Sequence, residues 1–361
     1  MTKPFDLLAE FGKFGLEHKL SLREPTTASA FLRHVGESVD RALDDPALLQ
    51  GQRAEAMFEA LLVSLGEYKL LKQEDGGRVF PTDGFRVPDF RVVLRDGTQW
   101  LIEVKNVYEP DPFQQRRQLM TRDYHDGLAA YAAATGAELK LAVFWARWSI
   151  WTLVSPERLL DADGVLELDM ETAVRVSEMS RLGDRTIGTR PPLTVRLNTD
   201  PDRTSPISAG GTVSVTFGAT QIFCHGVEVT DQVEKEIAWV FIEHGEWSEH
   251  GPRYVVHGDR LEAIEFWWAP EESTDQGFEI VGTLSRMFAR YYAGHTVEAD
   301  AVVQLRAPLR PGWFAPLVER GGRGDSIPLW RFELQPNYEG LGTSEADLAE
   351  PQSDSKEESA G

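Results

Sequence analysis

The alternation of hydrophobic and polar positions is sharpest between residues 51 and 155. After Gly51, apolar residues recur at every third or fourth position, which predicts an amphipathic helix that ends before Gly66. A second helix is predicted over 113–134, and it stops at Gly136. Runs rich in branched and aromatic residues predict strands at 68–73, 85–94, 99–105, 139–145 and 149–154. The first six elements follow the order helix, three strands, helix and strand, which predicts an α/β fold.

The flanking regions have weaker patterns. Two or three short polar helices are expected before residue 50, with Pro25 and Pro46 as breaks. The region after residue 160 predicts an α+β domain with strands at 212–217, 263–268 and 302–305, helices at 232–243 and 279–292, and loops or a linker over 183–206. The last residues are rich in Gly, Ser and Glu and are expected to be disordered. The predicted division is therefore 1–49, a helical extension; 50–160, the first domain; 161–336, the α+β domain; and 337–361, an acidic tail.

Composition places the chain in a broad class. A length of 361 residues and a hydrophobic fraction of 42% are sufficient for two domains with buried cores. The one cysteine, Cys224, excludes an intrachain disulfide and a cysteine-based zinc cage. The first residues lack the features of a signal peptide, and no apolar stretch is long enough to cross a bilayer. The expectation is a soluble, cytoplasmic protein with no membrane partner.

The net charge of -21 argues against tight, nonspecific binding of nucleic acid. Its distribution is uneven. Residues 51–150 are nearly neutral, with 13 basic against 14 acidic residues, whereas residues 151–340 carry 17 against 30. A local site that acts through metal ions is therefore still compatible with the charge of the first domain.

The hairpin at 85–105 carries the candidate chemistry. Strand alternation places Leu101, Glu103 and Lys105 on one face of the second strand, and the opposite face is wholly apolar. A carboxylate suits Mg²⁺, a hard cation that takes oxygen ligands. Phosphodiester hydrolysis also needs a cation near the attacking water and the scissile phosphate, and the ammonium group of Lys105 can supply it.

The position of Asp89 depends on the hairpin turn. A two-residue Asp96-Gly97 loop would pair Asp89 with Val104 and turn the carboxylates of Asp89 and Glu103 to opposite faces. A three-residue loop with a left-handed Gly97 would set Asp89 directly across from Glu103, with Cβ atoms about 4.5–5.5 Å apart. We adopt the second register, because opposed carboxylates in a sheet make sense with a cation between them.

A third carboxylate can come from the first helix. At 100° per residue, Glu55 lies at the edge of the apolar stripe, from which it could reach over the sheet. Glu59, one turn further on and turned more toward water, remains the alternative ligand.

These motifs resemble a known family. Val87-Pro88-Asp89-Phe90 and Ile102-Glu103-Val104-Lys105-Asn106, preceded by the helix that carries Glu55, are similar to the PD-(D/E)xK nuclease superfamily, especially its Holliday-junction-resolvase-like and Mrr-like members. The resemblance implies a restriction-endonuclease-like mixed sheet flanked by helices, with an αβββαβ core. It also implies Mg²⁺-dependent phosphodiester hydrolysis, with DNA as the usual substrate. We expect an endonuclease rather than an exonuclease, with Mn²⁺ as a substitute metal.

The resemblance also implies site roles. Asp89, Glu103 and the Val104 carbonyl would bind Mg²⁺, Glu55 would assist at the metal, and Lys105 would position or activate the water. The C-terminal domain would bind substrate, a partner or a second copy of the chain in a homodimer. The alternative from another class is a noncatalytic binding or regulatory protein on the same fold, which the acidity favours.

Other residues allow two interpretations. Arg116, Arg117 and Arg122 fall early in the predicted helix at 113–134, where they would contact approaching phosphates or form a solvated face. Trp145, Trp148 and Trp151 are better explained as core residues than as base-stacking platforms.

Overall fold

The computed structural model describes residues 4–75, 84–319 and 324–342, with side chains from residue 7 onward. Within these ranges the helices are α1 (Pro4–Glu17), α2 (Pro25–Leu43), α3 (Pro46–Leu65), α4 (Arg122–Thr135), α5 (Met170–Arg175), α6 (Gln232–His244), α7 (Leu284–Thr296) and α8 (Ala315–Val318). The first strands are β1 (Tyr68–Gln73), β2 (Phe90–Leu94), β3 (Gln99–Val107), β4 (Arg116–Met120), β5 (Glu138–Trp145), β6 (Ile150–Val154), β7 (Leu166–Asp169), β8 (Thr186–Thr189) and β9 (Leu193–Thr199). The later strands are β10 (Phe217–Cys224), β11 (Val227–Glu228), β12 (Ser248–His257), β13 (Arg260–Ala269), β14 (Glu279–Thr283), β15 (Val297–Glu298), β16 (Ala301–Val302) and β17 (Trp330–Phe332).

A mixed five-stranded sheet organises the first half of the protein. Its order is β1-β2-β3-β5-β6, with β3 and β5 parallel and the other pairs antiparallel. One face packs on α3 through Trp100, Ile102 and Val104, and the other packs on α4 through Leu101. The fold is mixed α/β, as expected.

The hairpin of β2 and β3 has the three-residue loop. Phe90 pairs with Ile102, and the Leu94 amide donates to the Thr98 carbonyl at 2.9 Å. Gly97 closes the loop with φ +96°, a conformation that glycine adopts without strain. The predicted register is therefore confirmed, and it sets position 89 across from position 103.

Local capping signals define the helix that precedes the sheet. Asp45 caps the start of α3 by accepting hydrogen bonds from the amides of Ala47 and Leu48 at 3.0 and 3.1 Å, and Pro46 is the first helical residue. Gly66 ends α3 in a left-handed conformation, φ +75°. The predicted end is confirmed, but the helix begins before Gly51 because Pro46 initiates it.

The predicted helix over 113–134 is wrong in its first third. Residues 116–120 form β4, which pairs with β7, a segment that is distant in sequence. The helix itself begins at Arg122 behind the cap Thr121, whose hydroxyl accepts the Tyr124 amide hydrogen. It ends at Gly136, as predicted.

Two segments of the C-terminal half also differ from expectation. The stretch 183–206, predicted as loops, contains β8 and β9, and β9 is the central strand of the antiparallel sheet β11-β10-β9-β13-β12. Residues 279–283, predicted as helical, form β14 in the sheet β14-β8-β17, so α7 begins only at Leu284. Long-range pairing determines these elements, and a local pattern does not show it.

The strand ends differ as well. The strand predicted at 212–217 begins only at Phe217, and the one predicted at 302–305 is limited to Ala301–Val302. The predictions at 263–268 and 232–243 are confirmed within β13 and α6. Trp145 and Trp151 are buried core residues, as expected. The core prediction is wrong for Trp148, which is half-buried in the turn after β5 and donates from Nε1 to the Pro112 carbonyl at 2.8 Å.

The two halves share one hydrophobic core. Phe58 and Leu61 of α3 belong to the same buried cluster as Phe241 of α6 and Phe288 of α7. The boundary predicted near residue 160 therefore crosses a common core, and the division into domains stays a prediction. In the described ranges, no helix combines the length and apolarity that a bilayer span requires.

The start of the predicted acidic tail is folded against the first half. The Asn337 amide donates to the Arg175 carbonyl at 2.9 Å, and the Tyr338 ring lies under the Arg158 guanidinium. The prediction of disorder from residue 337 is thus wrong for 337–342. Residues 343–361 lie outside the described part of the chain.

Candidate active site

Asp89 is held at the start of β2 by backbone contacts on both sides. Its carbonyl accepts a hydrogen bond from the Glu74 amide at 2.8 Å, which continues the β1–β2 ladder by one residue. Its side-chain Oδ2 accepts from the Val104 amide at 2.7 Å. The carboxylate is therefore fixed beside β3 between positions 103 and 105.

Glu103 and Lys105 lie side by side on the α4 face of the sheet. Glu103 is buried, with 3% of its surface exposed. Its Oε1 accepts hydrogen bonds from Lys105 Nζ and from the Tyr124 hydroxyl, both at 2.5 Å. Lys105 Nζ also donates to the Tyr124 hydroxyl at 3.3 Å. A charged pair and a phenol thus form one contact network at the base of the site.

Burial and neighbouring carboxylates shift the pKa values of the site residues. Burial raises the pKa of Asp89 to about 8, and the negative charge of Glu103 adds to the shift. Burial alone would lower the pKa of Lys105, but Glu103 and Tyr124 hold it above its usual value. The site therefore disfavours negative charge on Asp89 unless a cation is supplied.

The two glutamates of α3, Glu55 and Glu59, have different surroundings. Burial raises the pKa of Glu55, and the charges of Asp75 and Glu103 raise it further, so Glu55 belongs to the electrostatic environment of the site. Glu59 instead forms an ion pair with Arg306 at 3.2 Å. Of the two residues that the sequence left open, Glu55 is the one beside the site.

The residues present fit a hard divalent cation. In the described residues, Asp89 Oδ1 and Glu103 Oε2 accept no hydrogen bond from protein groups, which leaves one oxygen of each carboxylate for a ligand. The same ranges hold no cluster of three or more His, Cys, Asp or Glu residues arranged to hold a metal. Mg²⁺ needs no such cluster, because it binds through one or two carboxylates and keeps several waters. The carbonyl of Val104, the residue that follows Glu103, is the predicted third protein ligand.

Three residues of this region escaped the sequence analysis as functional groups. Tyr124 lies in α4, and its hydroxyl donates a hydrogen bond to Glu103. Asp75 follows β1 and contributes charge to the site. Arg86 lies with its guanidinium carbon 4.7 Å from the centre of the Tyr124 ring. The sequence offered one indication of a role for Arg86, namely its position three residues before Asp89.

The predicted arginine cluster is not on a common helix face. Arg116 and Arg117 lie on β4, and Arg116 pairs with Glu167 of β7 at 2.7 Å. Arg122 is the first residue of α4 and lies 3.7 Å from Asp126. The interpretation that placed all three early in one helix is wrong, because β4 interrupts that helix. Their contact with nucleic acid stays a prediction.

A second buried hydrogen-bond network lies beside the site, next to the end of β1. Glu74 accepts hydrogen bonds from Arg91 at 2.8 Å and from the Tyr131 hydroxyl at 2.8 Å. The hydrogen bonds from Arg91 are the main reason that the pKa of Glu74 falls to about 2. This network joins β1, β2 and α4, the elements that carry or flank Asp89 and Tyr124, and it keeps them in register.

Comparisons with known proteins find a likeness among solved structures. No family model matches the chain, and no curated protein matches it. Among solved structures, the chain is similar to Hjc of Archaeoglobus fulgidus, a Holliday junction resolvase from an archaeal hyperthermophile. The match has 23% identity and a TM-score of 0.28, and it covers 34% of this chain and 91% of the resolvase. A TM-score this low does not establish a common fold, so the assignment of the site depends on its own geometry.

Proposed function

We propose that the protein is a metal-dependent nuclease that hydrolyses phosphodiester bonds, most readily in DNA, on a restriction-endonuclease-like fold of the PD-(D/E)xK type. One observation carries the proposal: Asp89 is hydrogen-bonded to the Val104 amide, between Glu103 and Lys105, in the confirmed hairpin register. Two acidic side chains and an ammonium group therefore converge at one point of the sheet. The reaction class is that of an endonuclease that uses Mg²⁺, for which Mn²⁺ can substitute.

The proposal assigns each residue a role at the metal or at the substrate. Asp89, Glu103 and the Val104 carbonyl are the metal ligands, and Glu55 assists from α3. A bound Mg²⁺ would polarise the scissile phosphate and offset the charge that develops on it. Lys105, which Glu103 and Tyr124 keep protonated, orients the attacking water and neutralises a phosphate oxygen.

A cleavage survey tests the proposal. The purified protein is incubated with Mg²⁺ or Mn²⁺ and end-labelled single-stranded, duplex and four-way-junction DNA and RNA. We expect metal-dependent cleavage that Asp89→Ala and Lys105→Ala abolish. Lys69→Ala is the matched control, because Lys69 is exposed on β1 of the same sheet. A wild-type protein that is inert on every substrate, or a fully active Lys105→Ala variant, would contradict the proposal.

A noncatalytic binding protein on the same fold is the second candidate. The net charge of -21 favours it, as does the occupation of Glu103 Oε1 by Lys105 and Tyr124. Calorimetry with Mn²⁺ separates the two candidates. A nuclease takes up the ion in a manner that requires Asp89 and Glu103, whereas a binding module shows no uptake that depends on them.

A further inference from the structure

We propose that Arg86 binds a substrate phosphate next to the catalytic centre, and that Tyr124 and Gly127 of α4 hold it there. This inference rests on the proposed nuclease function. It adds a substrate-binding residue to a site whose other cation, Lys105, is already bonded to Glu103.

The backbone around Arg86 is anchored to α4. The Arg86 amide donates a hydrogen bond to the Gly127 carbonyl at 3.0 Å. The ring of its neighbour Phe85 packs edge to face on Tyr131, with centroids 6.4 Å apart. The segment that leads into Asp89 therefore lies in a fixed position along the helix.

Gly127 leaves the space that the Arg86 side chain occupies. A Cβ atom built on Gly127 would lie 2.8 Å from Arg86 Cγ and 3.1 Å from the Gly84 carbonyl oxygen. Any larger residue at 127 would therefore displace the arginine or its backbone. The glycine thus permits a close approach that directs the side chain across the helix toward Tyr124.

Tyr124 connects Arg86 with the candidate centre. The Arg86 guanidinium carbon and Lys105 Nζ each lie 4.7 Å from the centre of the Tyr124 ring, so they are at most twice that distance apart. One nucleic-acid strand carries a phosphate about every 3.4 Å along its axis. Two cations with this separation can contact the scissile phosphate and one of its neighbours.

The charge of Arg86 is available for a ligand. In the described part of the chain, no carboxylate lies within ion-pair distance of its guanidinium, which is exposed to solvent. By contrast, Arg91 on β2 is bound to Glu74. A planar guanidinium that stacks on an aromatic ring and keeps its donors free is suited to phosphate recognition.

Steady-state kinetics on the best substrate of the cleavage survey test the inference. We expect Arg86→Ala to raise KM about tenfold, with kcat changed less than about twofold, and to reduce the slope of log KM against log salt by about one. Arg86→Lys keeps the charge and should keep the slope, with KM raised about threefold. Gly127→Ala should raise KM as Arg86→Ala does, although it changes no charge.

Arg95→Ala is the matched control, because Arg95 is an exposed cation at the opposite end of the same hairpin. It should leave KM and the salt slope unchanged. If the wild type is active and Arg86→Ala behaves like Arg95→Ala, the inference is wrong and the proposed function stands. If the wild type cleaves no substrate, the proposed function fails and the inference fails with it. Thermal melts confirm that each variant is folded.

Discussion

The substitution Asp89→Asn should stabilise the metal-free protein while abolishing its activity. Burial raises the pKa of Asp89 to about 8, so the folded protein at neutral pH favours the protonated form of this side chain. Asparagine removes the charge but keeps an oxygen that can accept the hydrogen bond from the Val104 amide. The variant therefore relieves the electrostatic cost and retains the contact that positions the side chain.

The sign and size of this stability difference follow from the linkage between proton binding and folding. The carboxyl group has a pKa of 3.8 when unperturbed and about 8 in the folded state. Between these values the folded state binds more protons than the unfolded state, so the wild type loses stability as the pH rises. The loss is at most about 1.4 kcal/mol per pH unit for one group. At pH 7 we expect the variant to be more stable by about 2–4 kcal/mol, and the difference should shrink toward pH 4.

Urea unfolding in EDTA, followed by tryptophan fluorescence between pH 5 and 8, measures the difference. The control is Asp202→Asn, which removes the same charge from an exposed turn and should not alter the pH dependence. Saturating Mn²⁺ should then stabilise the wild type by about 2.7 kcal/mol at one hundred times its Kd, and should not stabilise Asp89→Asn. A variant that is less stable than the wild type at pH 7, or parallel pH curves, would refute the reasoning.

Three further predictions concern the glutamates of α3, the hydroxyl of Tyr124 and the hydroxyl of Tyr338. Glu55→Gln should lower kcat at least tenfold, whereas Glu59→Gln should leave it unchanged, as cleavage kinetics with Mn²⁺ will show. Tyr124→Phe removes the hydroxyl that donates a hydrogen bond to Glu103. Calorimetry should show an altered affinity for Mn²⁺, and thermal unfolding should show a loss of about 1 kcal/mol in the free energy of unfolding. If neither value changes, this hydrogen bond has no role at the site. Tyr338→Phe removes a hydroxyl that accepts from the Ser155 amide and donates to a buried glutamate, and urea unfolding should show a loss of about 1–3 kcal/mol.

The part of the site that could be predicted from the sequence depends on short-range geometry. Strand alternation placed Glu103 and Lys105 on one face. The turn at Asp96-Gly97 left two registers open, and the expectation of a cation between opposed carboxylates selected the one that forms. The angular position on a regular helix favoured Glu55 over Glu59, and the ion pair of Glu59 agrees with that choice. In each case, fewer than ten residues determine the geometry.

The features that could not be predicted depend on contacts between distant segments. Arg116 was assigned to a helix because its pairing partner in β7 is about fifty residues away and leaves no mark on the local pattern. The strand β8 was hidden in a stretch that reads as a linker, because its partners β14 and β17 come later in the chain. Tyr124 fits a helical stripe, but only the folded structure shows that its hydroxyl reaches a carboxylate. Side-chain chemistry across elements is not encoded in periodicity.

The C-terminal half acts on the candidate site through the helix that carries Glu55. Arg53, two residues before Glu55, is buried and donates to the Thr296 hydroxyl at the end of α7 at 2.8 Å. The last turn of α3 is held by a backbone hydrogen bond from Gly312 to Val63 at 2.9 Å. Because the second half contacts α3 near its middle and in its last turn, the position of α3 over the sheet depends on that half being folded. The acidic C-terminal half therefore helps to position Glu55 relative to Asp89 and Glu103. Removing this half would change the site as well as the core.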